Sequence, residues 1–261
     1  MDPVRIAVAG AAGRMGRTIV RSVLEDRECH LVGAVESFGN ASIGSDAGLL
    51  SGSGAAGVAI TADCSEALGA ADALLDFSVP GVSADLADLA AERCVVHVIG
   101  TTGFTRAQES RIEAASKKTA IIKSGNMSVG ANVLAALVAR AAKALHDFDI
   151  QIVEMHHRMK KDAPSGTALM LGRAAARGRG SPAAESAGGV GDDGNIGFAS
   201  LRGGTVIGEH KVIFAGAHER LILEHVAEDR AIFARGAIAA AKWSRDRKPG
   251  LYTMLDVLGL R

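Results

Sequence analysis

Residues 4–9, an apolar run that reads as a buried strand, pass directly into Gly10-Ala-Ala-Gly13-Arg-Met-Gly16, and residues 13–24 then carry helical periodicity. A glycine-rich turn held between a strand and a helix admits few folds. Glycines let the backbone turn tightly and approach a pyrophosphate, whose charge is met by the N-terminus of the helix. The spacing is Gly-x-x-Gly-x-x-Gly rather than the commoner Gly-x-Gly-x-x-Gly, so the turn alone is a weak signal. Glu36 strengthens it. It closes a second strand at 30–35, about 20 residues past the motif, where an acid accepts hydrogen bonds from an adenosine ribose. The alternative, a glycine turn with no ligand, has no use for that acid.

The alternation continues, with strands predicted near 58–60, 74–77, 95–99 and 120–122 and helices over 82–92 and 106–117. Residues 37–57 read as a long loop with at most a short helix. Strands alternating with helices indicate a parallel, doubly wound sheet. The pattern changes after Ser128: an Ala-rich helix over 131–146, a strand over 150–155, and a helix from about Ser165. Residues 178–197, rich in Gly, Ala and Ser, suggest a surface loop. Runs at 206–207, 212–214 and 221–223 suggest consecutive strands, and 230–243 and 250–258 read as helical, packing back on the first domain. The expected fold is α/β: a Rossmann-like doubly wound parallel sheet, plus a second α+β domain with a mixed or antiparallel sheet. Residues 1–127 and 231–261 would bind the dinucleotide; 128–230 would bind substrate and make oligomer contacts.

Gly100-Thr-Thr-Gly103 and Ser124-Gly-Asn-Met127 each follow a strand, at the carboxyl edge where open sheets bind ligands. The small residues of the first would let a nicotinamide ring lie against the backbone. The 29 basic and 29 acidic side chains cancel, so nothing favours nucleic acid or an anionic membrane as partner. The N-terminus lacks a signal-peptide pattern and no apolar stretch spans a bilayer. Cys29, Cys64 and Cys94 neither pair off evenly nor show metal spacing. Buried free thiols, no metal and a cytoplasmic location are expected.

Residues 154–168 read Glu-Met-His-His-Arg-Met-Lys-Lys-Asp-Ala-Pro-Ser-Gly-Thr-Ala. His156 and His157 end a strand, so their side chains should face opposite sides. A histidine can lend a proton near neutral pH, and Lys160 is a cation for a carboxylate or for protonating a nitrogen. Ser165 suits a helix N-cap, whose free N–H groups bind anions, and Pro164 stiffens the approach. Arg158 and Lys161 read as solvated charges. Neither His-Glu-x-x-His, Cys-x-x-Cys nor Gly-x-Ser-x-Gly occurs, which argues against zinc and a serine hydrolase. With the dinucleotide signature, this cluster suggests a nicotinamide-dependent reductase of a carboxylated substrate. Another NAD-dependent dehydrogenase is the rival enzyme. A dinucleotide-sensing protein without turnover would not need His156, Lys160 and Thr167 together.

These segments, with Val-Ala-Gly-Ala-Ala-Gly-Arg-Met-Gly, Gly-Thr-Thr-Gly-Phe, Asn-Met-Ser-Val-Gly-Ala-Asn-Val, Ile-Gly-Phe-Ala-Ser-Leu-Arg-Gly-Gly and Val-Ile-Gly-Glu-His, resemble the dihydrodipicolinate (4-hydroxy-tetrahydrodipicolinate) reductase family of lysine and diaminopimelate synthesis. The resemblance runs nearly end to end. It implies NAD(P)H reduction of a small cyclic dicarboxylate, with hydride delivered to the ring and a proton to the adjoining position. It implies His156 as acid–base residue, Lys160 as proton donor, and His157, Gly166 and Thr167 as substrate contacts. Cofactor contacts would be Gly10, Ala11, Ala12, Gly13, Arg14, Met15, Glu36, Gly100, Thr101, Thr102, Ser124, Gly125, Asn126 and Met127. A homotetramer assembled through the second domain's sheets is also implied. Two stretches depart from the family pattern. Ser37 and Phe38 stand where many members carry a basic residue, which favours NADH while leaving NADPH possible, and residues 178–195 are shortened and altered.

Overall fold

The computed structural model describes residues 2–181 and 196–260, and the chain divides into two compact units: 1–127 with 231–259, and 128–230 with the last two residues. In the first unit the strands are β1 (Val4–Ala9), β2 (Cys29–Val35), β3 (Ile60–Thr61), β4 (Ala73–Asp76), β5 (Val96–Ile99), β6 (Ala120–Lys123) and, from the C-terminal segment, a strand at Gly250–Tyr252. All pair in parallel, in the order Gly250–Tyr252 strand, β6, β5, β4, β1, β2, β3. Strands covered on both faces must be apolar throughout, and Ile6, Ala7, Val8 and Ala9 are all fully buried. The helices are α1 (Arg14–Glu25), α2 (Ala47–Ser51), α3 (Cys64–Leu68), α4 (Pro80–Arg93) and α5 (Arg106–Ser116). α1 buries Gly16, Ile19, Val20 and Val23, one face of a helix. Strand order reverses at β1, so the turns after β1 and β4 flank the crevice where doubly wound sheets bind ligands.

The second unit holds α6 (Val129–Ala144), β7 (Asp149–His156), α7 (Gly166–Arg179), β8 (Ile196–Arg202), β9 (Gly208–Gly216) and β10 (Glu219–Ala227). Its sheet runs β10-β9-β7-β8; β7 and β8 are parallel and the other pairs antiparallel. β7 alternates, with Ile150, Ile152, Glu154 and His156 on the buried side. Ile150 and Ile152 pack with Leu134 and Val138 of α6, Leu171 of α7, and Val212 and Phe214 of β9. The remaining elements, α8 (Ala231–Trp243), a 3-10 turn (Ser244–Asp246), β11 (Gly250–Tyr252) and α9 (Met254–Val257), belong to the first unit.

The mixed α/β architecture follows the pattern of the sequence, but several elements differ. Residues 250–258 are not helical throughout: Gly250–Tyr252 lengthens the parallel sheet beside β6. Residues 206–207 are not a strand, and β9 starts at Gly208. The loop expected over 178–197 is helix to Arg179, where Arg177 and Arg179 face the negative helix end and Gly180, at φ +69°, caps it. β8 begins at Ile196, and the rest of that stretch, 182–195, lies outside the described residues. The short α3 was not expected; the Asp63 side chain accepts from Ser65 and Glu66 N–H and nucleates it. The cysteines are free, but Cys29 and Cys64 are half-buried and Cys94 is exposed, not buried as expected. No helix among the described residues is long and apolar enough to cross a membrane.

Candidate active site

In the first unit the turn after β1 is tight. Gly10 has φ +69°, which favours glycine, and a Cβ on Gly16 would lie 2.0 Å from the Gly10 carbonyl oxygen. Gly13 is the N-cap of α1 and offers no side-chain cap, leaving first-turn N–H groups for an anion. Glu36 is half-buried beside this turn. Its Oε2 accepts from Ala12 N–H at 3.1 Å, and its Oε1 from Ser37 N–H at 2.9 Å and Ser37 Oγ at 3.2 Å. The glycine cradle, the uncapped helix end and the adjacent carboxylate fit a dinucleotide. Arg14 is exposed at the start of α1 and Met15 is half-buried against the core.

After β5, Gly100 packs against Phe77: an added Cβ would sit 2.3 Å from the Phe77 ring. Thr101 is buried, and its hydroxyl accepts from Ser83 at 2.9 Å, whereas Thr102 is exposed. Beneath them Asp76 and His97 form a fully buried pair, Oδ2 to Nε2, at 3.1 Å. Burial pushes the Asp76 carboxyl up, but hydrogen bonds from His97, Ser78 and Ser83 and the His97 charge hold it below the ordinary range. The sequence did not reveal this network. After β6, Ser124 Oγ donates to the Asn126 carbonyl at 2.8 Å, Gly125 is open, and Met127 is buried in the core.

In the second unit β7 ends at His156, which is buried; His157, half-buried, belongs to the following loop. The expected opposition of two strand-end histidines is therefore a strand residue followed by a loop residue. Lys160 turns back through its N–H to the His157 carbonyl at 3.1 Å, and its Nζ donates to Asp162 at 2.8 Å. Ser165 caps α7 as expected, its Oγ accepting from Ala168 N–H at 3.1 Å. Gly166, exposed, and Thr167, half-buried, form the first turn.

Sequence reasoning missed what lies behind His156. Glu154, 1% exposed, takes His156 Nδ1 at 2.5 Å and a two-pronged contact from Arg202, each prong 2.9 Å. It also accepts from Ser165 N–H at 3.2 Å. Burial alone would raise the Glu154 pKa, but Arg202, Ser200 and His156 hold it down at about 2. Burial pushes the His156 pKa below 6.5, opposed by Glu154 and aided by Lys160 and Arg202. His210 of β9 places Nε2 3.0 Å from Ser165 Oγ and packs edge-on to His156 at 5.1 Å. Burial first, then the His156 charge, lowers it to about 3. Strand alternation was the available signal, since Glu154 stands two residues before His156 on the same face.

Residues 4–127 match the family model described as dihydrodipicolinate reductase, N-terminus, and residues 130–258 match the model for its C-terminus. The chain belongs to the dihydrodipicolinate reductase family. Its relatives in that family include the 4-hydroxy-tetrahydrodipicolinate reductase of Beijerinckia indica subsp. indica, 53% identical across 100% of this chain and 99% of that one. That of Parvibaculum lavamentivorans is 54% identical over 98% of each. Among solved structures, a dipicolinate-bound dihydrodipicolinate reductase from Paenisporosarcina sp. TG-14 superposes with TM-score 0.78, at 25% identity, covering 97% of this chain and 98% of that one. A probable dehydrogenase from Thermotoga maritima shares the fold, with TM-score 0.66 at 13% identity, covering 98% of this chain and 93% of that one. As a member of the reductase family the chain uses NAD(P)H, which accords with the parallel sheet and glycine cradle of its first unit.

Proposed function

We propose that this chain reduces 4-hydroxy-tetrahydrodipicolinate to tetrahydrodipicolinate, with His156 and Lys160 handling the proton. The observation that carries the reading is the His156–Glu154–Ser165 cluster at the N-terminus of α7, in a chain matching the family over both units. Gly10, Ala11, Ala12, Gly13, Arg14 and Met15 take the diphosphate, and Glu36 the adenosine ribose. Gly100, Thr101 and Thr102, with Ser124 to Met127, line the nicotinamide side. When bound, the coenzyme supplies a hydride; the ring gains it and a proton, and water is lost. The α7 first turn, Gly166 and Thr167, holds a substrate carboxylate with its N–H groups, and His157 is a second contact. The Lys160 ammonium donates the proton. His156, neutral because burial lowers its pKa, orients that exchange as an acceptor. Loss of NADH absorbance with freshly generated product of the preceding synthase tests this; no turnover with that product overturns it. The apolar side chains Leu221, Ile222 and Val226, exposed on β10, support a homotetramer formed through this sheet.

Coenzyme preference follows from charge at the ribose. Glu36 can accept both ribose hydroxyls of NADH but repels a 2′-phosphate. Ser37 supplies a donor without charge, already turned to Glu36; the cations of the turn are Arg14, exposed at the start of α1, and Arg17, whose Nε donates to the Ala12 carbonyl at 2.9 Å. A charge-assisted hydrogen bond contributes about 1.5–3 kcal/mol, part of which solvent removes at an exposed position. NADH is expected to lead in kcat/KM by roughly 3- to 30-fold, and Ser37→Arg to narrow or reverse that. Paired kcat/KM determinations check it, and a wild-type preference for NADPH would contradict it.

A further inference from the structure

A buried carboxylate is costly unless every lone pair is met. Glu154 meets this with donors alone: His156 Nδ1 and Arg202 Nη1 on Oε2, Ser165 N–H and Arg202 Nη2 on Oε1, with the Ser200 hydroxyl as a further donor. An ionised carboxylate can only accept. His156 must therefore present Nδ1–H to Glu154, which leaves Nε2 as its unprotonated nitrogen. The same carboxylate grips the cap residue of α7, the helix whose first turn is the anion site. His210 braces the other side, touching both the cap hydroxyl and the His156 ring, and its own Nδ1 is buried without a hydrogen-bond partner among the described residues. The register places it there, since Glu154 stands opposite His210 across β7 and β9. Gly208, the first residue of β9, leaves room at the free nitrogen: a Cβ there would lie 3.0 Å from His156 Nε2.

We propose that Glu154 is a positioning residue for the reaction: clamped by Arg202, it fixes His156 in the Nδ1–H tautomer and ties it to the Ser165 cap, holding Nε2 and the α7 anion site in one geometry. This rests on the acid–base reading of His156. A purely structural ion pair would support folding but leave the tautomer and the chemical step indifferent to its charge. Glu154→Gln separates the two. Glutamine keeps the shape but offers one acceptor oxygen, so its NH2 must face one of the two donor pairs. Either His156 turns to the Nε2–H form, or the cap loses its partner.

Nitrogen-15 spectra of wild-type His156 should show Nδ1 protonated and Nε2 bare; the opposite assignment overturns the proposal, whatever the variants do. Glu154→Gln should lower kcat by about 10²–10⁴-fold, with the KM for NADH within about threefold of wild type, because that site is built from the first unit. Arg202→Lys keeps the carboxylate ionised, so the Nδ1–H signature should persist and the loss stay near tenfold. In a His156→Ala background, Glu154→Gln should cost less than about threefold more, since the two act as one unit. If His156→Ala alone retains kcat, the acid–base reading fails and this inference with it. If His156→Ala is impaired but Glu154→Gln folds and turns over within threefold of wild type, only the positioning role falls.

Discussion

Replacing Lys160 by alanine, and separately His156 by alanine, is expected to lower kcat by roughly 10²–10⁴-fold, the usual range for a lost proton-transfer group. The Lys160 side chain is 21% exposed and bound to Asp162, itself 63% exposed, so breaking that surface pair has little consequence for folding. His156 is buried, and its truncation also leaves Glu154 short of one donor, so some loss of stability accompanies the loss of rate. Thr167→Val, which removes a hydroxyl at the proposed carboxylate site, should act mainly on substrate KM. Because burial holds His156 below its ordinary 6.5, it stays neutral into mildly acidic solution, and the acid limb of kcat/KM should lie below that value. Steady-state kinetics with NADH and fresh substrate give all of these. Near-wild-type kcat for both alanine variants would remove His156 and Lys160 from the chemistry.

Acid should unfold the second unit by a route that can be followed group by group. His210 has a folded pKa of about 3 against an ordinary 6.5. Between those values the unfolded chain binds a proton that the folded one refuses. Stability is therefore full above 6.5 and falls on acidification, levelling near pH 3, with about 1.4 kcal/mol lost per pH unit in that window. The whole window corresponds to a few kcal/mol at most, on the order of the lower end of a typical domain stability of about 5–15 kcal/mol. His156 adds in the same direction. Glu154, ordinarily at 4.5 and here at about 2, contributes stability that is present above 4.5 and lost as pH falls toward 2. The one tryptophan and one tyrosine, Trp243 and Tyr252, lie in the first unit, so fluorescence would miss the event. Urea midpoints read from methyl signals of Ile152 and Val212 should drop between pH 6.5 and about pH 4, and His210→Gln should flatten the slope. A flat wild-type profile, or a His210 titrating near 6.5 in the folded protein, would contradict this.

What could be read from the sequence is what local chemistry determines. Gly10 needs a positive φ, Gly16 must lack a side chain, and Ser165 must cap a helix; each constraint sits within a few residues of its cause. The His156 and Lys160 cluster was visible because it is contiguous. Its supporting groups were not. Arg202 reaches Glu154, and His210 reaches Ser165 and His156, only through the pairing of β7 with β8 and β9, and Asp76 meets His97 only through the register of β4 with β5. Residues 206–207 carry the β-branched composition of a strand but pair with no strand among the described residues, whereas the three residues of β11 become a strand because β6 offers an open edge. Tertiary pairing decided both cases against the local pattern.

Isotope transfer reads the proposed hydride step to the cyclic substrate itself. The protein would be incubated with fresh 4-hydroxy-tetrahydrodipicolinate and, in separate reactions, NADH carrying deuterium on one or the other face of nicotinamide C4, with the product read by mass spectrometry. The expected product is tetrahydrodipicolinate bearing one deuterium from one face and none from the other, with loss of that label in Lys160→Ala at matched times. Coenzyme oxidation without label in the product, or unlabelled tetrahydrodipicolinate from both reactions, would contradict it.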